Sequence, residues 1–446
     1  MGGAGSGDSR RHILGQCAGR RSFCGVGGRF GRGLGTMSGL AETRAASFAR
    51  TSDDHMGRPH RGWPRGPVLG WDSFIPRRGP WLPGVQGQPQ VRLVTSGRAA
   101  ICIALESLAL PAGSRVLVPT YHCPTMIAPV RLAGLEPQFY GIGADGLPDL
   151  AHIQVGPSVR AMLVSHFFGL AQSLAAVRAW CDRHDIVLIE DCAHALYGLA
   201  GERTVGAWGD LATASLTKFL PVAEGGLLAS ATRAVPAPRL SPQGLRAQLK
   251  GWVDVLEVAV QHRRLAGLRW LLAPIFAIKS RNRPRPTSAD EQGPAPTEAA
   301  MIEHCDLGRV ETAMLGASRA LLRCLPRSRA IGRRQRNYAT YQARFFACQG
   351  ARSLQPADEA TLRNAAPYVF PLWVEAPEPV YARARALGLP VFRWDRVWPG
   401  TPQLPDDLGP LWSHHVLQLA CHQSLSVADV ERIAELLIDA MEPNAP

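Results

Sequence analysis

The chain has ten cysteines in 446 residues, but no two of them stand at CxxC spacing. That leaves no zinc-ligand framework and no paired pattern of a disulfide scaffold. Cys102, Cys192 and Cys421 lie in apolar runs, as the reduced thiols of a cytoplasmic protein do. His414, His415 and His422 also lack metal-ligand spacing, so no metal site is expected. No apolar run approaches the ~20 residues that cross a bilayer. The Arg- and Gly-rich N-terminus has no apolar core of the kind a secretory signal needs. Acidic residues are in short supply too: 49 Lys and Arg face 36 Asp and Glu, a formal charge of +13. The excess is confined to residues 1–68, net +7, and residues 232–300, net +6. The remaining body is therefore balanced, and no nucleic-acid-reading surface is expected.

What is present divides the chain into four parts. Residues 1–68 are rich in Gly, Arg and Ser without periodicity, and read as a disordered tail; Met37 and Met56 offer later starts. Residues 69–231 alternate apolar runs (Val91–Val94, Val116–Pro119, Met162–Phe167, Ile186–Glu190) with helical stretches (Ala99–Leu110, Ser173–His184). That alternation indicates an α/β domain with a mostly parallel sheet. Residues 232–305 form a basic insertion: Leu245, Leu249, Trp252, Val253 and Leu256 share one helical face, and a Pro-rich linker follows. The apolar face is expected to be buried against the body or a second subunit, with a membrane surface as the less favoured partner. Residues 306–446 read as a smaller α+β domain, with helices over 310–325 and 331–346, a strand over 368–375 and a terminal helix over 427–441.

The chemistry centres on Lys218. It follows a strand-like run, Leu211–Leu216, and precedes a second one across Glu224-Gly225-Gly226. A lysine there is costly unless it is paired or loses its proton. Upstream, Ser96 and Gly97 stand at a strand-to-helix junction, where free backbone N–H groups make a phosphate cradle. Between them, "LIEDCAHALYG" ends a buried strand on Glu190-Asp191, with His194 three residues on. Asp191 reads either as a helix cap or as an acid facing a bound cation. A phosphate cradle, an acid and a buried lysine on an α/β sheet match the needs of pyridoxal phosphate.

These segments resemble the DegT/DnrJ/EryC1/StrS family of pyridoxal-phosphate-dependent aminotransferases. "SGRAAI", "VLVPTYHCPTMIAPV", "HFFG", "IEDCAHALYG", "TKFLPVAEGG" and the C-terminal "LQLACHQSLSVADVERI" follow that family's ordered motifs. The resemblance implies the fold-type-I, aspartate-aminotransferase-like architecture and the cofactor pyridoxal 5'-phosphate. It implies that Lys218 bonds the cofactor covalently and shuttles the proton, that Asp191 pairs with the ring nitrogen, and that His194 lies beside the ring. Ser96, Gly97 and Arg98 take the phosphate position, with Ser215 or Thr213 adding a hydroxyl and Arg98 replacing a threonine. The ring-stacking aromatic falls at Tyr121 or His122; direct alignment on Pro119 puts Cys123 there.

The family's Gly-x-Asn-x-Arg-Met loop is not found before Val310, which weakens the substrate assignment more than the cofactor assignment. The resemblance implies transfer of an amino group from glutamate to a keto group on a nucleotide-linked sugar, by a cytoplasmic homodimer. The alternatives are another pyridoxal-phosphate reaction, such as a dehydratase or lyase, and a non-catalytic scaffold on a membrane or complex. Trp394 and Trp398 are expected to pack the small domain, and Arg393 and Arg396 are candidates for an anionic substrate.

Overall fold

The computed structural model describes residues 62–75, 79–235, 237–281 and 297–442. Most of the 1–68 tail, Met37 and Met56 included, lies outside these residues. The last part of that tail is well packed, contrary to the expectation for it. Trp63 Nε1 donates to Asp429 over 2.9 Å, and the Val68 amide donates to Ser424 Oγ over 2.9 Å. Val68 and Leu69 are buried, because two adjacent apolar residues give this stretch something to dock with.

The larger sheet has seven strands: β1 (Gln90–Val94), β2 (Arg115–Pro119), β3 (Glu136–Tyr140), β4 (Val159–Ser165), β5 (Val187–Asp191), β8 (Leu211–Ser215) and β9 (Gly226–Ser230). A two-stranded ribbon, β6 (Leu199–Ala200) and β7 (Arg203–Thr204), lies between β5 and β8 in the chain. The strand order is β1-β9-β8-β5-β4-β2-β3. β9 runs antiparallel to both neighbours, and every other pairing is parallel. The expected mostly parallel sheet is thus present. Its central strands are apolar over most of their length because both faces are covered.

Helix α1 (Gly97–Ser107) follows β1 and is capped by Ser96, whose hydroxyl accepts from the Ala99 amide. Helix α2 (Pro124–Leu132) follows β2 and opens on a proline, whose missing N–H costs nothing in a first turn. Helix α3 (Ala175–Arg183) leads into β5.

Beyond β9 come α4 (Leu245–Gln261), α5 (Leu268–Arg281), α6 (Glu298–His304), α7 (Gly316–Cys324) and the long α8 (Arg327–Phe345). The sequence puts a helix over 310–325, but only its second part is helical. Residues 312–315 instead run beside Ser241 and bond outward: the Ala313 amide to the Ser241 carbonyl over 2.9 Å, and the Leu315 amide to Glu224 over 2.7 Å.

A second, fully antiparallel sheet combines β10 (Ala351–Ser353), β11 (Val369–Val374), β12 (Val391–Phe392) and β13 (Val416–Ala420), in the order β10-β11-β13-β12. Tyr338, Tyr341 and Phe345 of α8 pack on Phe370, and Val430, Ile433 and Leu437 of the terminal helix Val427–Met441 complete this core.

Candidate active site

In a parallel sheet the strand carboxyl ends gather on one edge, and loops leaving them can meet there. At that edge β5 ends on Asp191, β8 leads into Ser215 and then Lys218, and α1 begins at Gly97. Adjacency of β5 and β8 sets Asp191 opposite Thr213.

Glu190 and Asp191 point to different tasks. Glu190 is fully buried and accepts from the amides of Gly206, Trp208 and Gly209 over 2.6, 2.8 and 3.1 Å. His166 Nε2 bonds it over 2.8 Å. Burial alone would raise its pKa, but the His166 contact and these amides hold it below the usual carboxylate value. Glu190 therefore serves as an anchor for the β6–β8 connection. His166, Glu190 and Cys192 together have metal-ligating atoms, but burial drives the Cys192 thiol well above its usual range, and His166 and Glu190 already satisfy each other.

Asp191 accepts from the Ala193 amide over 3.0 Å, from the Thr213 hydroxyl over 3.3 Å and from the Ser165 hydroxyl over 3.4 Å. Burial raises its pKa, against the opposing charge of Lys218 and these donors. Lys218 is half-buried, with Nζ 5.2 Å from the centre of the Tyr368 ring. Burial lowers its pKa, with Cys123 and then Asp191 opposing the shift. Both shifts run toward the uncharged form, so desolvation outweighs the attraction between the two groups. A cation delivered between them would return Asp191 to its ionised state.

His194 is buried, and its Nδ1 accepts from the Phe168 amide over 3.2 Å. The ring proton is therefore on Nε2, and Nε2 has no hydrogen-bond partner. Burial, followed by the charge of Lys218, pushes its pKa well below the usual imidazole value. His194 is thus a neutral, unused donor beside Lys218.

The α1 N-terminus completes the set. Gly226 of β9 lies so close that a Cβ there would come within 2.2 Å of the Ser96 carbonyl oxygen, so only glycine lets the strand approach the cradle. A Cβ on Gly97 would meet Ser215 Cβ at 3.4 Å, and the hydroxyls of Ser215 and Thr217 are 3.2 Å apart. Two first-turn amides, Gly97 and Arg98, and two nearby hydroxyls are the kind of donors an anion site needs. The Arg98 guanidinium itself turns to Asp306, 3.5 Å away. Pyridoxal phosphate fits this donor set: cradle, acid, lysine and an orphaned His194 Nε2.

Two candidate residues stand elsewhere. His122 uses both ring nitrogens: Nδ1 donates to the Pro119 carbonyl and Nε2 accepts from the Trp398 amide, each over 3.0 Å. It packs on Phe139, away from Lys218. Tyr121 is fully buried among Phe167, Phe168, Trp394 and Trp412, and its hydroxyl accepts from Gln418. Neither ring offers an open face for stacking, because the β2 end turns both inward. Cys123 is the member of this triplet that bears on Lys218.

Sequence reasoning missed Arg334, and it expected Trp394 and Trp398 to pack the small domain, whereas both pack on the core of the larger sheet. Trp394 packs on both Tyr121 and His194, with ring centres 5.0 Å away in each case, and His194 lies 4.4 Å from the Tyr368 ring. Arg334 of α8 donates to the Lys218 carbonyl over 2.7 Å. Its spacing with Asn337, Tyr338 and Tyr341 on one helical face was the available signal. Arg393, a candidate for substrate, is tied to Glu378 over 2.9 Å.

Residues 86–246 match the family model described as the DegT/DnrJ/EryC1/StrS aminotransferase family. The match lies within that segment. It takes in Gly97, Asp191, His194 and Lys218, and stops before the second sheet. A GDP-perosamine synthase of Vibrio cholerae is 28% identical over 170 residues, 36% of this chain and 46% of that protein. An L-glutamine:2-deoxy-scyllo-inosose aminotransferase of Streptomyces kanamyceticus is 33% identical over 137 residues, 30% of this chain and 32% of that one. The match therefore spans less than half the length of these relatives. Among solved structures, AtS13 of Actinomadura melliaura superposes with a TM-score of 0.55 at 18% identity, over 86% of this chain and 100% of that one. At that identity the likeness is one of fold.

Proposed function

We propose that this protein is a pyridoxal-phosphate-dependent aminotransferase. It moves an amino group from an amino acid, glutamate by the resemblance, to the keto group of a nucleotide-linked sugar in polysaccharide or glycoside biosynthesis. The observation that carries the reading is the Asp191–Lys218–His194 group at the sheet edge, with a phosphate cradle at the start of α1. The name of the perosamine synthase supports the substrate class.

When bound, pyridoxal phosphate supplies an electron-accepting ring, and its demands on the protein are specific. Asp191 keeps a proton on the ring nitrogen, a role that its buried carboxylate favours because a cation relieves its desolvation. Lys218 is the point of covalent attachment. Its Nζ would take the proton from the amine-bearing carbon of the donor and, in the reverse half-reaction, return one to the acceptor carbon. The burial that lowers its pKa favours the uncharged amine this needs. His194 Nε2–H is a donor for the ring's phenolic oxygen, and Trp394 and Tyr368 hold the imidazole in place. Gly97, Arg98 and Ser215 receive the phosphate. Thr213 keeps Asp191 oriented. We place the enzyme in the cytoplasm and expect a homodimer.

The test is incubation of the purified, cofactor-loaded protein with glutamate and nucleotide-linked keto-sugars, following 2-oxoglutarate and the amino-sugar. Formation of both in equal amount is the expected result. Cofactor-loaded protein that makes neither product with any such acceptor contradicts the substrate class.

A further inference from the structure

Helices α4 and α5 form a hairpin whose two sides have different fates. Gly251, Val255 and Ala259 of α4 are buried against the body, a different strip from the apolar face expected to be buried. Leu245, Leu249 and Trp252 lie one after another on the adjoining strip and stay exposed, Leu245 at 75%. Helix α5 buries Phe276 and exposes Trp270 at 73%, Leu271 at 72%, and Ile275. The expectation that the α4 apolar face is buried against protein therefore fails: Leu245, Leu249 and Trp252 are exposed, and Val253 and Leu256 are only partly buried. Six large apolar side chains on one hairpin form a patch of the size that marks an interaction site.

The flanking charge chooses between partners. Residues 245–281 carry seven Lys and Arg against two Asp and Glu, net +5. Arg246, Lys250 and Arg263 are exposed beside the apolar strip, and the Arg269 guanidinium lies 5.0 Å over the Trp270 ring. A second copy of this chain docked by two-fold symmetry sets this basic hairpin against its own equal. A phospholipid surface bearing negative charge neutralises it, while tryptophan and leucine enter the boundary between headgroup and acyl chain. Among the described residues, no helix is long and apolar enough to cross a membrane, so the contact is with one face of the bilayer.

We propose that the 245–281 hairpin docks this protein on an anionic phospholipid membrane. The test is co-sedimentation of the full chain with vesicles of phosphatidylcholine mixed with phosphatidylglycerol, and with phosphatidylcholine alone, at low and high salt. Expected is binding to the mixed vesicles that high salt weakens. The variant Leu249→Ser/Trp270→Ser/Leu271→Ser should lose about tenfold or more of that binding at unchanged molar mass by light scattering. The charge reversal Arg246→Glu/Arg263→Glu leaves the apolar strip intact, and should lose about as much. Wild-type protein that stays in the supernatant overturns the proposal. So does binding that neither variant reduces, and so does a triple variant that dissociates to a smaller species, which would assign the face to a second copy.

Discussion

Arg334 Nη2 donates to the carbonyl oxygen of Lys218 over 2.7 Å, joining α8 to the loop that carries the candidate catalytic lysine. The same guanidinium donates to the carbonyls of Pro367 and Tyr368 over 2.9 and 3.1 Å, and to Gln423 over 3.2 Å. It lies 4.4 Å over the Phe219 ring and is fully buried, which lowers its pKa. A planar fork that bridges carbonyls of the Lys218 loop and of the segment entering β11 is not replaced by an ammonium. Arg334→Met is expected to cost about 3 kcal/mol or more, because it leaves several buried carbonyls unpaired. Chemical denaturation measures this, and Arg334→Lys should recover little of it. A loss within about 0.5 kcal/mol, the range of a surface change, contradicts the assignment.

Asp191→Asn should keep the fold and lower turnover on the order of a hundredfold or more, since a neutral amide cannot hold a ring nitrogen protonated. Turnover and melting temperature should be measured on the same preparation. Near-normal turnover in a well-folded variant removes Asp191 from the role given to it.

His122 gives the protein an acid limb. Burial lowers its pKa to about 4 from an ordinary 6.5. Between these values the unfolded chain binds a proton that the folded chain refuses, so stability is complete above pH 6.5 and falls as pH drops toward 4. The two values differ by enough to account for about 3 kcal/mol. His422, lowered to about 3 by burial and by Arg334, acts in the same direction. His122→Gln should flatten the fall in melting temperature between pH 6.5 and 4, at some cost in stability at neutral pH from the altered bonds to Pro119 and Trp398. An unchanged slope would show that His122 is not buried as a neutral ring.

The sheet and the central trio were legible because each leaves a local trace. Continuous apolar runs mark strands covered on both faces, and an acid or a lysine at the end of such a run is conspicuous. β3 left no such trace: Glu136-Pro137-Gln138 is a half-exposed edge, where polar residues and proline are tolerated. Residues 310–315 carry a helix-like pattern, but Glu224 and Ser241 take their amides. Tyr121 and His122 read as stacking candidates from chemistry alone. Their inward turn depends on Gln418, Trp398 and Trp394, all more than 270 positions away. The contact of Arg334 with Lys218 has the same long-range origin.

The chain has three lysines, Lys218, Lys250 and Lys279, and Lys250 is exposed and paired with Asp254 over 2.5 Å. Reduction of the pyridoxal-phosphate-loaded protein with borohydride, followed by peptide mass analysis, therefore tests the central claim directly. The account predicts a single phosphopyridoxyl tag on Lys218, lost in Lys218→Ala. A tag on Lys250 or Lys279 instead, or no tag on a folded protein saturated with cofactor, would contradict it.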